Sequence, residues 1–212
     1  MLAYDLARPQ GAKDGATVAV LLHGRGSHRG DLQALRPQLP GDWVLVTPQA
    51  PFPGHRWGYG PGWAWYRYLS EDRIEDAGLE RSLSALGRVL EQLPSTVGVR
   101  PGRIVLGGFS QGGTMSLAYA LTRPGSVAAV LNFSGLLVDS PLVPLRAPGA
   151  STTPIFWAHG TRDPTVPHHL ATKGRARLAE AGIPVTGRDY DIGHWMDPQE
   201  VADAVAFLDA AE

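Results

Sequence analysis

The sequence predicts an α/β domain in which helices cover both faces of a mostly parallel sheet. Apolar segments of strand length alternate with helix-like segments along nearly the whole chain. The strand-like segments are continuous apolar runs, which are typical of strands buried on both faces. Together these two observations indicate a three-layer sandwich. In such sheets, ligands bind at the carboxyl ends of the strands.

Strands and helices are predicted from local composition and periodicity. Short apolar or β-branched runs predict strands over 17–22, 43–47, 103–109, 127–133, 155–159 and 185–190. Apolar residues at helical spacing predict helices over 31–39, 75–93, 110–122, 171–181 and 198–208. Asp31 is the expected N-cap of the first helix, and Pro94 is expected to end the second.

Two segments interrupt the alternation. Segment 53–68 contains six of the 12 Trp and Tyr residues of the chain, and segment 135–154 is a Pro-rich connection. Long connections inside a compact domain are usually functional or mobile. The rings of 53–68 either pin a loop to the core or form one wall of an apolar binding cleft. The sequence leaves both interpretations open.

Composition and length indicate a single domain over residues 1–212. The chain has 43% hydrophobic residues and shows no internal repeat. A domain of this length buries roughly 70% of its unfolded surface. With 19 basic and 20 acidic residues, nucleic acid is not the expected partner. The absence of Cys excludes disulfides, thiol chemistry and Cys-ligated zinc.

The expected location is the cytoplasm. Residues 1–15 carry charges and lack the apolar core of a signal peptide, and no stretch approaches the roughly 18 apolar residues of a membrane span. Aromatic residues near a cleft could also form a dimer surface, so a homodimer is a possible assembly.

A candidate nucleophile lies in the motif Gly108-Phe109-Ser110-Gln111-Gly112, which matches G-x-S-x-G. Chance alone produces roughly 0.16 such matches in a chain of this composition, so the context matters. Here the motif joins a predicted strand to a predicted helix. A sharp strand–turn–helix lifts the serine hydroxyl out of the sheet, at a helix N-terminus that favours negative charge. The alternative is an ordinary N-cap serine.

A serine nucleophile needs a base, and the base needs an orienting acid. Asp163 follows the strand 155–159, and His194 follows the strand 185–190. The order Ser, Asp, His is typical of this strand–turn–helix arrangement. All three residues therefore fall at the same edge of the predicted sheet. Singly, Asp163 could cap a turn and His194 could be a loop histidine; together they indicate nucleophilic catalysis.

Backbone N–H groups are the expected donors to an oxyanion. One is that of Gln111, directly after the nucleophile, and the other is that of Arg25, in the loop after the first strand. The glycines of that loop do not have dinucleotide-binding spacing, and no Walker lysine follows. The remaining histidines, interpreted as turn and surface residues, form no metal-binding pattern, so no metal is predicted. Those considered as possible metal ligands are His23, His159, His168 and His169.

Several motifs resemble those of the phospholipase/carboxylesterase family, which includes the acyl-protein thioesterases. The similarity spans about residues 16–208, and its motifs are Leu22-His23-Gly24-Arg25-Gly26, Ala64-Trp65-Tyr66, Gly107-Gly108-Phe109-Ser110-Gln111-Gly112-Gly113, His159-Gly160-Thr161-Arg162-Asp163 and Gly193-His194. The resemblance implies a minimal α/β-hydrolase fold without a large cap domain, and no cofactor. It also implies a catalytic triad of Ser110, Asp163 and His194, with oxyanion amides at Arg25 and Gln111.

The chain departs from the family pattern at three places. Arg25 stands where many relatives have an apolar residue, and Trp195 where Gly or Glu is common. The segment 164–167 reads Pro-Thr-Val-Pro, where relatives often have two apolar residues before the proline. These changes leave the chemistry intact and concern the acyl or alcohol preference. Trp65, Tyr66 and Trp195 are the expected substrate contacts.

The predicted function is a serine hydrolase that cleaves carboxylic esters through an acyl-enzyme. A lysophospholipase and an acyl-protein thioesterase would use the same triad, with segment 57–68 holding a long acyl chain. Two further hypotheses from different classes are a non-catalytic binding protein on a hydrolase fold and a metal-dependent hydrolase.

Overall fold

The computed structural model describes residues 2–70, 73–145 and 152–210. The strands in these residues are β1 (Tyr4–Ala7), β2 (Thr17–Leu22), β3 (Val44–Pro48), β4 (Phe52–Pro53), β5 (Trp63–Ala64), β6 (Arg103–Phe109), β7 (Ala129–Phe133), β8 (Ile155–Gly160) and β9 (Val185–Tyr190). The α-helices are α1 (Asp76–Glu91), α2 (Leu93–Val97), α3 (Gln111–Thr122), α4 (His168–Glu180) and α5 (Pro198–Ala210). Short 3₁₀ helices cover Asp31–Gln38 and Gly54–Trp57.

Seven of the described strands form one sheet, in the order β1-β3-β2-β6-β7-β8-β9. Strand β1 pairs antiparallel with β3 at one edge, and every other neighbouring pair is parallel. Strands β4 and β5 form a separate antiparallel pair. The prediction of a mostly parallel sheet is therefore confirmed.

The sheet divides the core into two layers of apolar side chains. Along β2, Val18, Val20 and Leu22 point to one face, where helices α1 to α4 pack. Ala19 and Leu21 point to the other face, which α5 and the first 3₁₀ helix cover. Strands with both faces covered explain the continuous apolar runs in the sequence. The three-layer architecture is confirmed, and the described residues contain no large cap domain.

Two helix predictions need correction. The segment predicted as a helix over 31–39 is a 3₁₀ helix that contains Pro37, whose missing N–H cannot join an α-helical ladder. Its N-cap is Gly30; Asp31 does not cap it, and accepts a hydrogen bond from the Ser27 hydroxyl (2.6 Å). The helix predicted over 75–93 ends at Glu91, and Pro94 lies in the first turn of the separate helix α2.

The two edge strands of the sheet, β1 and β9, are less buried than the central strands. Strand β1 went unpredicted because its four residues, Tyr-Asp-Leu-Ala, mix polar and apolar side chains and are only partly buried. Strand β9 occurs where predicted, but its four central residues are exposed because nothing pairs with its outer edge among the described residues.

The connection predicted over 135–154 packs its first part into the core. Leu136, Leu137 and Val138 are buried, whereas residues 146–151 lie outside the described residues. None of the helices in the described part of the chain is long and apolar enough to cross a membrane.

Candidate active site

Ser110 lies at the turn between β6 and α3, in a conformation that serine rarely adopts. Its φ is 53° and its ψ is −116°, and its backbone N–H donates to the Phe133 carbonyl (2.7 Å). A positive φ costs free energy in a residue with a Cβ, so the turn is held by its surroundings. A glycine at 112 is required, because a Cβ there would overlap the Leu22 carbonyl. The central strands thus pack tightly under the serine.

Two hydrogen bonds join three side chains that are far apart in the sequence into one row: Ser110, His194 and Asp163. The distance from His194 Nε2 to Ser110 Oγ is 2.9 Å, and that from His194 Nδ1 to Asp163 Oδ2 is 2.6 Å. Since an ionised carboxylate only accepts, Nδ1 carries the imidazole proton and Nε2 is free to accept from the serine hydroxyl. The histidine is therefore oriented as a general base requires.

The Asp163 carboxyl is buried and fully hydrogen-bonded. Its Oδ1 accepts from the backbone N–H groups of Thr165 and Val166, each at 2.8 Å. Burial acts to raise the pKa of Asp163, but the hydrogen bonds from His194 and from these N–H groups outweigh it, and the pKa lies below its usual value. Asp163 therefore stays ionised beside the imidazole.

His159 supports the same turn from below. It is buried, and its Nε2 lies 2.8 Å from the Val166 carbonyl and 3.6 Å from Asp163 Oδ2. Burial lowers the pKa of His159, so the ring is neutral and Nε2–H donates to the carbonyl. The prediction that His159 and His23 are turn or surface histidines is wrong, because both lie in the core.

His23 orders the loop that carries Arg25. Its Nδ1 lies 2.8 Å from the Gly24 carbonyl, and its Nε2 accepts from the Ala50 N–H (3.1 Å). Burial lowers the pKa of His23 to about 4, which keeps the ring neutral with its proton on Nδ1. Among the described residues, neither the Arg25 N–H nor the Gln111 N–H has a hydrogen-bond acceptor. Two backbone donors are thus available, one in the loop after β2 and one directly after Ser110.

The Gln111 side chain joins the serine turn to the aromatic segment. Its Oε1 accepts from the Trp65 N–H and its Nε2 donates to the Tyr66 carbonyl, both at 2.8 Å. Trp65 and Tyr66 have no exposed surface, and Trp65 Nε1 donates to the His23 carbonyl. Both rings fill the core beneath the site, and the contact of Trp65 and Tyr66 with substrate stays a prediction from the sequence.

A small cleft opens over Ser110. Its volume is about 160 Å³, and its walls include Arg25, Tyr68, Leu136, Val166 and Leu170. Segment 53–68 thus does both things that its composition suggested: Trp65 and Tyr66 anchor it, and Tyr68 lines the cleft. Leu136, Val166 and Leu170 were not identified from the sequence. No local motif marks Leu136 or Leu170, whereas Val166 could have been found from its position three residues after Asp163.

Trp195 lies beside His194 on the outer side of the site. Its side chain is 54% exposed and lines a shallow depression with Arg162, Pro164 and Gly193. The Phe109 ring packs against the His194 imidazole at 4.7 Å between centroids. Within residues 2–70, 73–145 and 152–210, no three His, Asp or Glu side chains lie together as metal ligands would.

The loop that carries His194 continues into a capping box at the start of α5. The Gln199 N–H donates to Asp197 Oδ1, and the Asp197 N–H donates to Glu200 Oε2, both at 2.8 Å. This reciprocal pair satisfies free N–H groups of the first turn. Glu200 is buried, and burial raises its pKa to about 7.

As pH rises, the free energy of unfolding of the Glu200→Gln variant is expected to increase relative to that of the wild type. Folded Glu200 holds its proton more tightly than the unfolded chain, so its contribution to the free energy of unfolding falls between about pH 4.5 and 7. Glutamine has no such loss, and its amide oxygen can still accept from the Asp197 N–H. From pH 5 to pH 8, the variant should gain up to about 3 kcal/mol on the wild type.

Thermal unfolding at the two pH values measures this difference. The matched control is Glu180→Gln, at an exposed position at the end of α4, where the Tm difference from wild type should be the same at both pH values. A Glu200→Gln difference that does not change with pH would contradict the burial argument.

Comparison with known proteins places these features in a family. Residues 9–212 match the model of the phospholipase/carboxylesterase family. Acyl-protein thioesterase 1 of Emericella nidulans is 32% identical over 78% of this chain and 76% of its own length. That of Aspergillus fumigatus is 31% identical, covering 92% and 88%. The crystal structure of esterase PE8 superposes with a TM-score of 0.81 at 29% identity, covering 100% of this chain and 99% of its own. The chain therefore belongs to the phospholipase/carboxylesterase family, and its fold is that of the α/β-hydrolases.

Proposed function

We propose that this protein is a serine carboxylesterase that works through an acyl-enzyme. The observation that carries the proposal is the position of His194, whose two ring nitrogens contact Ser110 Oγ and Asp163 Oδ2. Membership of the family supports the same class of reaction. A complete hydrogen-bonded row of this kind gives no support to a non-catalytic binding protein.

In the acylation step, Ser110 Oγ attacks the ester carbonyl while His194 Nε2 accepts the hydroxyl proton. The imidazolium then gives this proton to the departing alcohol. Asp163 stays ionised throughout and stabilises the charged ring. Water then attacks the acyl carbonyl while its proton passes to His194 Nε2, and the imidazolium returns this proton to Ser110 Oγ as the carboxylic acid leaves.

The Arg25 and Gln111 N–H groups are the proposed oxyanion donors. Both N–H groups lie in main chain that hydrogen bonds hold in place. His23 accepts from the Ala50 N–H beside the loop that carries Arg25, and the Gln111 side chain accepts from the Trp65 N–H. Donors that are fixed in advance need no reorganisation when negative charge develops on the carbonyl oxygen. Trp195, exposed beside His194, is the proposed contact for the leaving group.

The size of the cleft favours short acyl groups. Its volume of about 160 Å³ lies below the roughly 300–1,000 Å³ of pockets that hold drug-sized ligands. The names of the fungal relatives favour a second candidate, hydrolysis of acyl thioesters, with the same residues in the same roles. A lysophospholipase would need room for a longer chain.

Hydrolysis of p-nitrophenyl esters from acetyl to palmitoyl tests the proposal. We expect the highest kcat/KM at short acyl chains, with no loss of activity in the presence of EDTA. A maximum at long chains would instead support a lysophospholipase or a thioesterase, and sensitivity to EDTA would support a metal-dependent hydrolase. If no ester of the series were hydrolysed, the carboxylesterase proposal would fail.

We also infer that the chain acts as one domain. Strands from the two ends, β1 and β9, belong to the same sheet, which supports this inference. The cytoplasmic location, the homodimer and the lack of a nucleic-acid partner stay predictions from the sequence. The expected partner is a small-molecule ester.

A further inference from the structure

The guanidinium of Arg25 stands at the cleft beside the nucleophile. Arg25 and Ser110 line the same cavity of about 160 Å³. The central carbon of the guanidinium lies 4.7 Å from the centre of the Tyr59 ring and 5.4 Å from that of Tyr68. Contacts with two aromatic rings restrict the side chain and so reduce the conformational entropy that it would lose on binding a ligand.

Arg25 lacks the acidic partner that five other arginines have. Among residues 2–70, 73–145 and 152–210, no carboxylate lies within ion-pair distance of its guanidinium. The five described arginines that pair with aspartates are Arg29 with Asp5, Arg100 with Asp14, Arg162 with Asp191, Arg175 with Asp189, and Arg177 with Asp139. The N–H edges of Arg25 are thus available to a ligand.

The other walls of the cleft offer little to a charged ligand. Leu136, Val166 and Leu170 are apolar, and Tyr68 and Thr165 are neutral. The nearby Asp163 carboxylate is engaged by His194 and two backbone N–H groups. Arg25 is therefore the charged group available to a substrate among the described walls. Because the cavity is small, a group that fills it while its ester reaches Ser110 also lies against Arg25.

Resting on the proposed esterase function, we propose that Arg25 selects short esters that carry a carboxylate a few bonds from the scissile ester. The planar guanidinium presents paired N–H donors that match the two oxygens of a carboxylate. Arg25 is exposed to solvent, so the paired donor geometry and the contacts with the tyrosine rings, and not burial, favour this pair. Substrates of this class would be half-esters of dicarboxylic acids or esters of hydroxy acids.

Two matched pairs of alkyl esters test the proposal by pH-stat titration. Monoethyl succinate against ethyl pentanoate places the charge on the acyl side, and 3-acetoxypropanoate against butyl acetate places it on the alcohol side. The readout is the ratio of kcat/KM for the charged ester to that for its neutral partner. For at least one pair, we expect Arg25→Leu to lower this ratio about tenfold, as loss of a charge-assisted bond predicts.

The ratio, and not the absolute rate, is compared, because the Arg25 backbone is part of the proposed oxyanion site. Arg25→Gln, a shorter and neutral polar side chain, should show the same loss and guards against misfolding of the leucine variant. The matched control is Arg29→Leu, which removes the same charge from the same loop at a position paired with Asp5. It should leave both ratios unchanged.

The outcomes separate this inference from the function on which it rests. Unchanged ratios in both Arg25 variants, with the neutral esters still hydrolysed, would overturn the role of Arg25 and leave the esterase proposal intact. An equal fall in the Arg29→Leu control would also overturn it, because the effect would then come from net charge alone. Wild type that hydrolyses none of the esters would contradict the esterase proposal itself.

Discussion

Ser110→Ala is expected to lower kcat/KM for p-nitrophenyl acetate by about 10⁴- to 10⁶-fold while the protein stays folded. The hydroxyl contacts the imidazole of His194, so its removal takes away the nucleophile and little packing. Alanine meets the same positive φ as serine and therefore adds no new backbone strain. Turnover, circular dichroism and Tm measured on the same preparation separate the two effects.

A double variant tests whether Ser110 and His194 act in the same step. Ser110 and His194 act as one unit in the proposed mechanism, so Ser110→Ala combined with His194→Ala should be scarcely slower than either alone. Independent losses that multiply would indicate that the two residues do not share a step. Near-normal turnover of Ser110→Ala would exclude it as the nucleophile.

Gly112→Ala is expected to destabilise the protein by about 4 kcal/mol or more, or to prevent its folding. A Cβ at this position would overlap the Leu22 carbonyl oxygen and lie 2.7 Å from the His23 carbonyl oxygen. Both obstacles are main chain at the end of the central strand β2, so no flexible side chain can move aside. The soluble yield and the Tm of the variant measure the effect.

Gly41→Ala is the matched control for this substitution. Nothing lies within 4 Å of a Cβ at Gly41, and its φ is not positive. The same chemical change should therefore alter stability by no more than about 1 kcal/mol. If the Tm of Gly112→Ala stayed as close to wild type as that of the control, the tight packing of this turn would be contradicted.

The central strands and the three-residue row could be predicted because their signals are local. Strands β2 and β6 have the predicted bounds, and Ser110, Asp163 and His194 each follow the end of a strand. Parallel strands bring such positions to one edge of a sheet. A few local patterns, combined with one rule of topology, were therefore enough to predict that residues up to 84 positions apart lie together.

The walls of the cleft could not be predicted in this way. The side-chain amide of Gln111 accepts a hydrogen bond from the Trp65 N–H, although the two residues are 46 positions apart. Whether an aromatic ring in 53–68 faces the core or the cleft therefore depends on a distant residue. Leu136 and Leu170 come from the start of the Pro-rich connection and from the first turn of α4. Their place at Ser110 follows from the packing of these elements, which no spacing in the sequence expresses.

The capping box at Asp197 and Glu200 links the general base to the stability of a helix. It closes the first turn of α5 a few residues after His194. A substitution that unwinds this turn would loosen the loop of His194 while leaving Ser110 and Asp163 on their own strands. We therefore expect activity to be lost in such a variant before the sheet itself unfolds.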